Sequence, residues 1–101
     1  MVSIKTYLVC APTGLWAVIN NAGIGGKGGQ MEWLTLADFQ ETFSINTIGT
    51  IDVSMTFLPL IKKERGRVIC MSSMGGRFTM PYMVTYAVSK YGVEAFGEAL
   101  R

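Results

Sequence analysis

Tyr86 and Lys90 lie four residues apart in the stretch YAVSK. On a helix that spacing places them on one face, one turn from each other. A free phenol titrates near 10 and is a poor base at neutral pH. A lysine ammonium beside it favours the phenolate, so Tyr86 becomes able to exchange a proton with an alcohol or carbonyl oxygen. Ser73 lies thirteen residues earlier, at the end of an apolar run, where its hydroxyl can hydrogen-bond the same oxygen. Asn46 sits within an apolar-rich helical stretch, where asparagine is a mediocre helix former. That invites a structural or a relay role. The chain has no histidine, so any general acid or base must be another residue type.

The elements that carry these residues are legible from periodicity. LWAVIN, residues 15–20, is a short apolar run of the kind that forms a buried strand of a parallel sheet. Thr35-Leu-Ala-Asp38 has the form of a capping box with Asp in place of Glu or Gln. From there Phe39, Phe43, Ile48, Ile51, Met55 and Leu58 recur at helical spacing and predict one long helix with an apolar face. Pro59 should kink or loosen its last turn, and KKERG should close it on a glycine. RVICM, residues 67–71, predicts a second buried strand ending at Ser72-Ser73, and a last helix spans about Met83 to Arg101. The order is strand–helix–strand–helix without a hairpin signal, so an α/β fold with a parallel sheet is expected.

Gly23-Ile-Gly25-Gly-Lys-Gly28 fits G-x-G-x-x-G and follows a strand run, but the pattern is weak without a helix opening from it. The next helix begins only at Thr35. The glycines therefore read as a flexible rim loop rather than a phosphate cradle. A P-loop is also excluded, because Lys27 is followed by Gly28 and not by Ser or Thr.

The composition is that of an interior. Half of the 101 residues are hydrophobic and 16% are charged, against about 25% charged in ordinary domains. A free-standing domain this small should be more polar, so a piece of a larger α/β domain is expected. The net charge of +2, with Lys62, Lys63, Arg65 and Arg67 clustered at a helix end, suits a solvated terminus better than a nucleic-acid stripe. Cys10 and Cys70 show no metal spacing and read as free thiols in a reducing compartment. No apolar run reaches the length needed to span a membrane. Trp16 and Trp33 read as packing residues. Met71, Met74, Met80 and Met83 flank the expected crevice, either as pocket lining or as core filling.

Taken singly, Tyr86 reads equally as a packed helix tyrosine, Lys90 as a surface lysine, Ser73 as a turn cap, Asn46 as a helix-bend residue, and Asn20 and Asn21 as turn formers. Four features in order are more specific: Asn20-Asn21-Ala22-Gly23 after a strand, Asn46-Thr-Ile-Gly49 in the next helix, Ser72-Ser73 ending the next strand, and Tyr86-x-x-x-Lys90. With these the chain resembles the short-chain dehydrogenase/reductase family. GLWAVINNAGI, FLPLIKKERGRVICMSSMGGR and YAVSKYGVEAFGEALR are similar to its retinol and hydroxysteroid dehydrogenase branch.

The resemblance implies a portion of a Rossmann-like, doubly wound parallel sheet and an NAD- or NADP-dependent oxidoreductase acting on an apolar alcohol or its carbonyl. Tyr86 would be the catalytic acid/base. Lys90 would support it and bond the nicotinamide ribose. Ser73 would polarise the substrate oxygen, and Asn46 would anchor a relay water. Asn21, Ala22 and Gly23 would border the cofactor. Family members pair through their last helix, so a homodimer is implied. An intracellular location, at the endoplasmic reticulum, follows by analogy only.

The similarity covers about residues 14–101, the central catalytic portion, and leaves 1–13 as an unmatched segment. Within it Thr6–Ala11 is strand-like and Pro12 breaks it. The family's dinucleotide fingerprint would lie before NNAG, where too few residues stand to form it. The part that follows the catalytic helix is likewise expected to be missing. Two strands with both edges open should then be unstable or prone to associate.

Overall fold

A computed structural model describes residues 5–101; the first four residues of the 1–13 segment lie outside the described residues. The sheet has three strands in the order β1-β2-β3. Strands β1 (Thr6–Ala11) and β2 (Gly14–Asn20) are antiparallel, from Thr6 opposite Asn20 to Ala11 opposite Gly14. Strand β3 (Arg67–Cys70) is parallel to β2, with Val18 opposite Val68 and Asn20 opposite Cys70. The parallel pair and its helical crossover are as the sequence leads one to expect.

The hairpin is not. Two residues, Pro12 and Thr13, turn the chain. They lack the Asn-Gly or Asp-Gly signature of two-residue hairpins. Proline presets the turn's φ, Thr13 Oγ1 donates to Glu64 Oε2 at 2.6 Å, and the ladder slips between Val9 and Cys10. One edge of β2 is therefore covered rather than open. Both sides of β1 remain exposed from Thr6 to Cys10.

The long helical stretch has three parts. Helix α1 (Leu36–Phe43) and helix α2 (Gly49–Lys63) flank a wider π turn at Ser44–Ile48. Asp38 accepts the Thr35 backbone N–H at 2.8 Å, as the capping box requires. This bond, with burial opposing it and Lys27 assisting it, holds the Asp38 carboxyl below the usual carboxylate range. The inward face differs from the expected apolar one. Thr42, Asn46, Thr47, Thr50, Ser54 and Ile61 are buried, while Ile48 and Met55 are exposed. Small side chains let the helix lie close to its neighbours. Two hydroxyls are satisfied within the helix, Thr42 donating to the Asp38 carbonyl at 3.0 Å and Thr50 to the Asn46 carbonyl at 2.9 Å, while Thr47 and Ser54 bond neighbouring elements. By length and composition the stretch Leu36–Lys63 would pass as a membrane span. Its packing on β2 and on the last helix marks it as the crossover of an α/β unit.

Pro59 stays inside α2 without ending it. The left-handed residue at the close of the helix is Arg65, at φ 51°, not the following glycine. Gly66 serves another need, since a Cβ there would collide with the Trp16 carbonyl. Leu15, Val18 and Ile61 form the core, with Val53, Phe57 and Val68 packed on it. Neither tryptophan is buried as a packing residue would be. Trp33 is exposed, and Trp16 is half-exposed with the Arg67 guanidinium 5.9 Å from its ring. Helix α3 (Val84–Ala99) completes the fold.

Candidate active site

Because β2 and β3 are parallel, their C-terminal ends open side by side, where ligands bind in such sheets. The Met71 N–H donates to the Asn20 carbonyl at 3.0 Å and extends the ladder one step past β3. Helix α3 passes beside this opening. From it Lys90 reaches back, and its Nζ donates to the Met71 carbonyl at 3.0 Å. Lys90 is only 6% exposed, and burial pushes its ammonium below the ordinary lysine range. The same ammonium lies 5.7 Å from the centre of the Tyr86 ring, within the range in which a cation is attracted by an aromatic face.

Ser73 begins a short turn at Met74–Gly76, and its Oγ accepts the Gly75 N–H at 3.2 Å. That bond uses one lone pair, leaving the hydroxyl able to donate and to accept again. A Cβ built on Gly75 would lie 3.1 Å from Tyr86 Cε1 and 3.7 Å from Ser73 Oγ. Ser73 and the Tyr86 ring thus border one spot. Ser72, the neighbouring candidate, turns instead toward Gly76 and the groove under the C-terminal half of α3.

Asn46 lies at the centre of the π turn. The wider turn allows two consecutive side chains, Asn46 and Thr47, to be buried together. Such turns recur at functional sites. Asn46 accepts the Ile24 N–H at 2.8 Å and donates to the Ile24 carbonyl at 2.8 Å and to Ser89 Oγ at 2.9 Å. It therefore clamps the segment after β2 to α3. Asn21, Ala22 and Gly23 lead into that segment, half-buried. A Cβ on Gly23 would lie 3.2 Å from Asn46 Oδ1 and 3.6 Å from Lys90 Nζ. The bare backbone at Gly23 leaves the space beside the ammonium open to a ligand. Asn20 is buried, and its amide donates to Ser54 Oγ at 2.9 Å, so it serves the sheet.

The glycine loop is fastened rather than loose. Gly29 N–H donates to the Tyr82 carbonyl at 2.9 Å, Thr85 Oγ1 to the Lys27 carbonyl at 2.9 Å, and Lys27 pairs with Asp38 at 3.5 Å. Among the described residues only a single 3₁₀ turn, Met31–Trp33, stands between the loop and α1, so the loop presents no phosphate cradle of the dinucleotide kind. It holds the start of α3, one residue before Tyr86. Sequence reasoning passed over Thr85 and Ser89. The only signal for them is a small hydroxyl residue directly preceding each member of the Tyr–Lys pair.

Tyr86, Lys90, Ser73, Asn46 and Gly23 thus meet at one end of the sheet. The arrangement suits proton exchange with a substrate oxygen beside a buried cation.

Comparisons with known proteins bear on the family and the fold. The short chain dehydrogenase family profile matches residues 5–101, nine residues further toward the start than the motifs extend. The mouse protein named short-chain dehydrogenase/reductase family 9C member 7 is 53% identical over 88 residues, 87% of this chain and 28% of that protein. Mouse retinol dehydrogenase 16 is 46% identical over 88 residues, 87% of this chain and 27% of its own. The chain thus spans just over a quarter of the length of these relatives. Carveol dehydrogenase from Mycobacterium avium, solved with NAD, superposes with a TM-score of 0.81 at 26% identity, over 87% of this chain and 32% of that one. A profile matched over nearly the whole sequence, and relatives at these identities, place the chain in the short-chain dehydrogenase family.

Proposed function

We propose that the chain carries the catalytic portion of an NAD- or NADP-dependent oxidoreductase that interconverts an apolar alcohol, of retinoid or hydroxysteroid type, and its carbonyl. The observation that carries the reading is Lys90. An ammonium 6% exposed is costly to bury unless it is paired. Here it spans from α3 to the Met71 carbonyl and lies beside both Tyr86 and Gly23.

A nicotinamide cofactor fits part of this site. Lys90 and the backbone at Asn21–Gly23 would hold its ribose, and the cofactor supplies hydride exchange when bound. The chain's own residues manage the proton. Tyr86 gives or takes it at the substrate oxygen. The Lys90 charge stabilises negative charge on the phenolic oxygen. Ser73 donates a hydrogen bond to the same substrate oxygen. Asn46 fixes the Ile24 backbone and bounds the path by which a relay water would reach Lys90. The substrate class draws on the relative named for retinol and on the exposed Met71, Met74, Met80 and Met83 around the opening. A homodimer through α3, which exposes Val88 and Tyr91, and a place at the endoplasmic reticulum belong to the same proposal.

The test is turnover of a retinoid alcohol and of a hydroxysteroid with NAD and NADP, in the parent chain and in Tyr86→Phe. Removing the acid/base should cost about 10²–10⁴ in rate. Equal rates in the two proteins would remove Tyr86 from the mechanism.

One observation favours a second reading, a non-catalytic product that at most pairs with another chain. Strand β1 occupies the edge of β2 opposite the one that β3 pairs with. In the doubly wound order 3-2-1-4-5-6 the first strand of the nucleotide-binding half flanks the fourth, which is the place β1 takes. Titration with NADH, followed by fluorescence, separates the readings. Micromolar binding supports the enzyme, and its absence supports the non-catalytic product.

A further inference from the structure

Ser89 is fully buried and makes bonds that neither the family motifs nor the proposed proton path uses. Its hydroxyl donates to the Tyr86 carbonyl at 2.7 Å and accepts from Asn46 Nδ2 at 2.9 Å. Its own carbonyl accepts from Thr47 Oγ1 at 2.7 Å. The two bonds of the hydroxyl are directional. With its single hydrogen committed to Tyr86, it can only accept from Asn46. That requires the nitrogen of the Asn46 amide to face Ser89. The oxygen of the amide then faces the Ile24 N–H, and the nitrogen's other hydrogen faces the Ile24 carbonyl. Turned over, the amide would set oxygen against oxygen at Ile24.

We propose that Ser89 is a positioning residue for the site described above, setting the Asn46 amide so that the Gly23–Ile24 backbone is held at a fixed distance from the Lys90 ammonium. The proposal rests on that site's reading as a cofactor and substrate pocket, but its mechanical content does not. One chain of bonds joins Tyr86, Ser89, Asn46 and Ile24. It runs from the catalytic helix to the segment after β2, with Lys90 adjacent to Ser89 in sequence and Gly23 adjacent to Ile24. Thr47 doubles the link through the Ser89 carbonyl, which survives any side-chain change at 89.

The experiment uses amide hydrogen exchange on the full chain, comparing Ile24 with the core amides of Val18 and Val93. In Ser89→Ala, exchange at Ile24 should accelerate about tenfold relative to those core amides, the equivalent of one lost neutral hydrogen bond. A role limited to general stability would accelerate all three together. The ¹³Cε signal of Lys90 should move in Ser89→Ala, because Gly23 no longer keeps its place beside the ammonium. Ser89→Thr retains the hydroxyl and should return both signals toward the parent. In an Asn46→Ala background, Ser89→Ala should add nothing further at Ile24. The proposal is overturned by acceleration equal at Ile24, Val18 and Val93, by an unchanged Ile24, or by full additivity of the two alanine changes. Because none of these readouts needs turnover, an inactive chain with selective Ile24 loss would refute the enzyme reading and leave this one standing.

Discussion

Replacing Asn46 by alanine removes three hydrogen bonds at once, two to Ile24 at 2.8 Å and one to Ser89 at 2.9 Å. The side chain is 1% exposed, so water does not simply take its place. Ser89 loses least, since its hydroxyl keeps its bond to the Tyr86 carbonyl. The Ile24 N–H and C=O lose their side-chain partner, and an unsatisfied buried group costs about 1–3 kcal/mol. Ile24 is half-buried, which places each loss toward the lower end. The sum is about 2–4 kcal/mol, a large part of the roughly 5–15 kcal/mol that holds an ordinary domain together. For a chain of this size it corresponds to a fall in Tm of roughly 10–25 °C. Thermal unfolding followed by far-ultraviolet circular dichroism measures it. Asn46→Asp makes the comparison sharper. It keeps an acceptor for the Ile24 N–H but turns a carboxylate oxygen toward the Ile24 carbonyl. It should be no more stable than the alanine variant. A loss below about 0.5 kcal/mol in Asn46→Ala would show that the π turn holds itself together and that the clamp is incidental.

Three further outcomes follow from single features. Gly66→Ala should destabilise by about 1–3 kcal/mol or more as an overpacked contact, because its Cβ meets the Trp16 carbonyl at the start of the parallel ladder; urea unfolding at the level of the parent would contradict that contact. Arg65→Gly should stabilise by about 1 kcal/mol, since Arg65 is held at φ 51° and only glycine adopts that region without cost; denaturant midpoints measure it, and a lower midpoint would refute it. Lys90 should link stability to alkaline pH. Its folded value lies below the ordinary one, so as pH rises through it the native state releases the proton first, the unfolded state binds more, and stability rises until the unfolded value is passed. The Cys70 thiol, pushed up by burial, acts in the opposite sense. The readout is therefore the difference between the parent and Lys90→Met, and an identical pH dependence in the two would show that Lys90 is not desolvated.

The parallel pair, the crossover and the position of the last helix could be read because apolar runs and spacing determine them. Three things could not. The Pro12-Thr13 hairpin lacks a glycine turn signature, and it forms because β1 finds an unpaired edge of β2, a tertiary opportunity that no local window contains. The buried face of α2 was misjudged because hydropathy credits Ile48 and Met55 over Thr50 and Ser54. Close approach of a helix to a sheet selects small side chains, whose hydroxyls bond within the helix, as at Thr50, or to the sheet, as at Ser54 with Asn20. The glycine loop reads as flexible on composition, yet it is anchored by bonds to the backbone carbonyls of Lys27 and Tyr82 and by the Lys27–Asp38 pair, contacts that join it to segments distant in sequence. At the site, Tyr86, Lys90 and Ser73 were legible because their chemistry is in their side chains. The role of Asn46 was legible only as a polar residue out of place. The π turn that explains it depends on partners drawn from two distant segments, at Ile24 and at Ser89.

The partners of the site residues separate two kinds of constraint. Lys90 bonds a backbone carbonyl at Met71, Asn46 bonds the backbone of Ile24, and Ser73 bonds the backbone of Gly75. The partners at Met71 and Ile24 would survive most substitutions at those positions. The exceptions are the glycines: a Cβ at Gly75 would lie 3.1 Å from the Tyr86 ring, and one at Gly23 would lie 3.2 Å from Asn46 Oδ1 and 3.6 Å from Lys90 Nζ. A methyl at 3.2 Å from the Asn46 oxygen is close enough to push the amide but not to prevent folding. Gly23→Ala should therefore change stability little, with the Asn46 amide giving by a few tenths of an ångström and the ammonium, 3.6 Å away, staying in place; a thermal midpoint well below the parent's would contradict this.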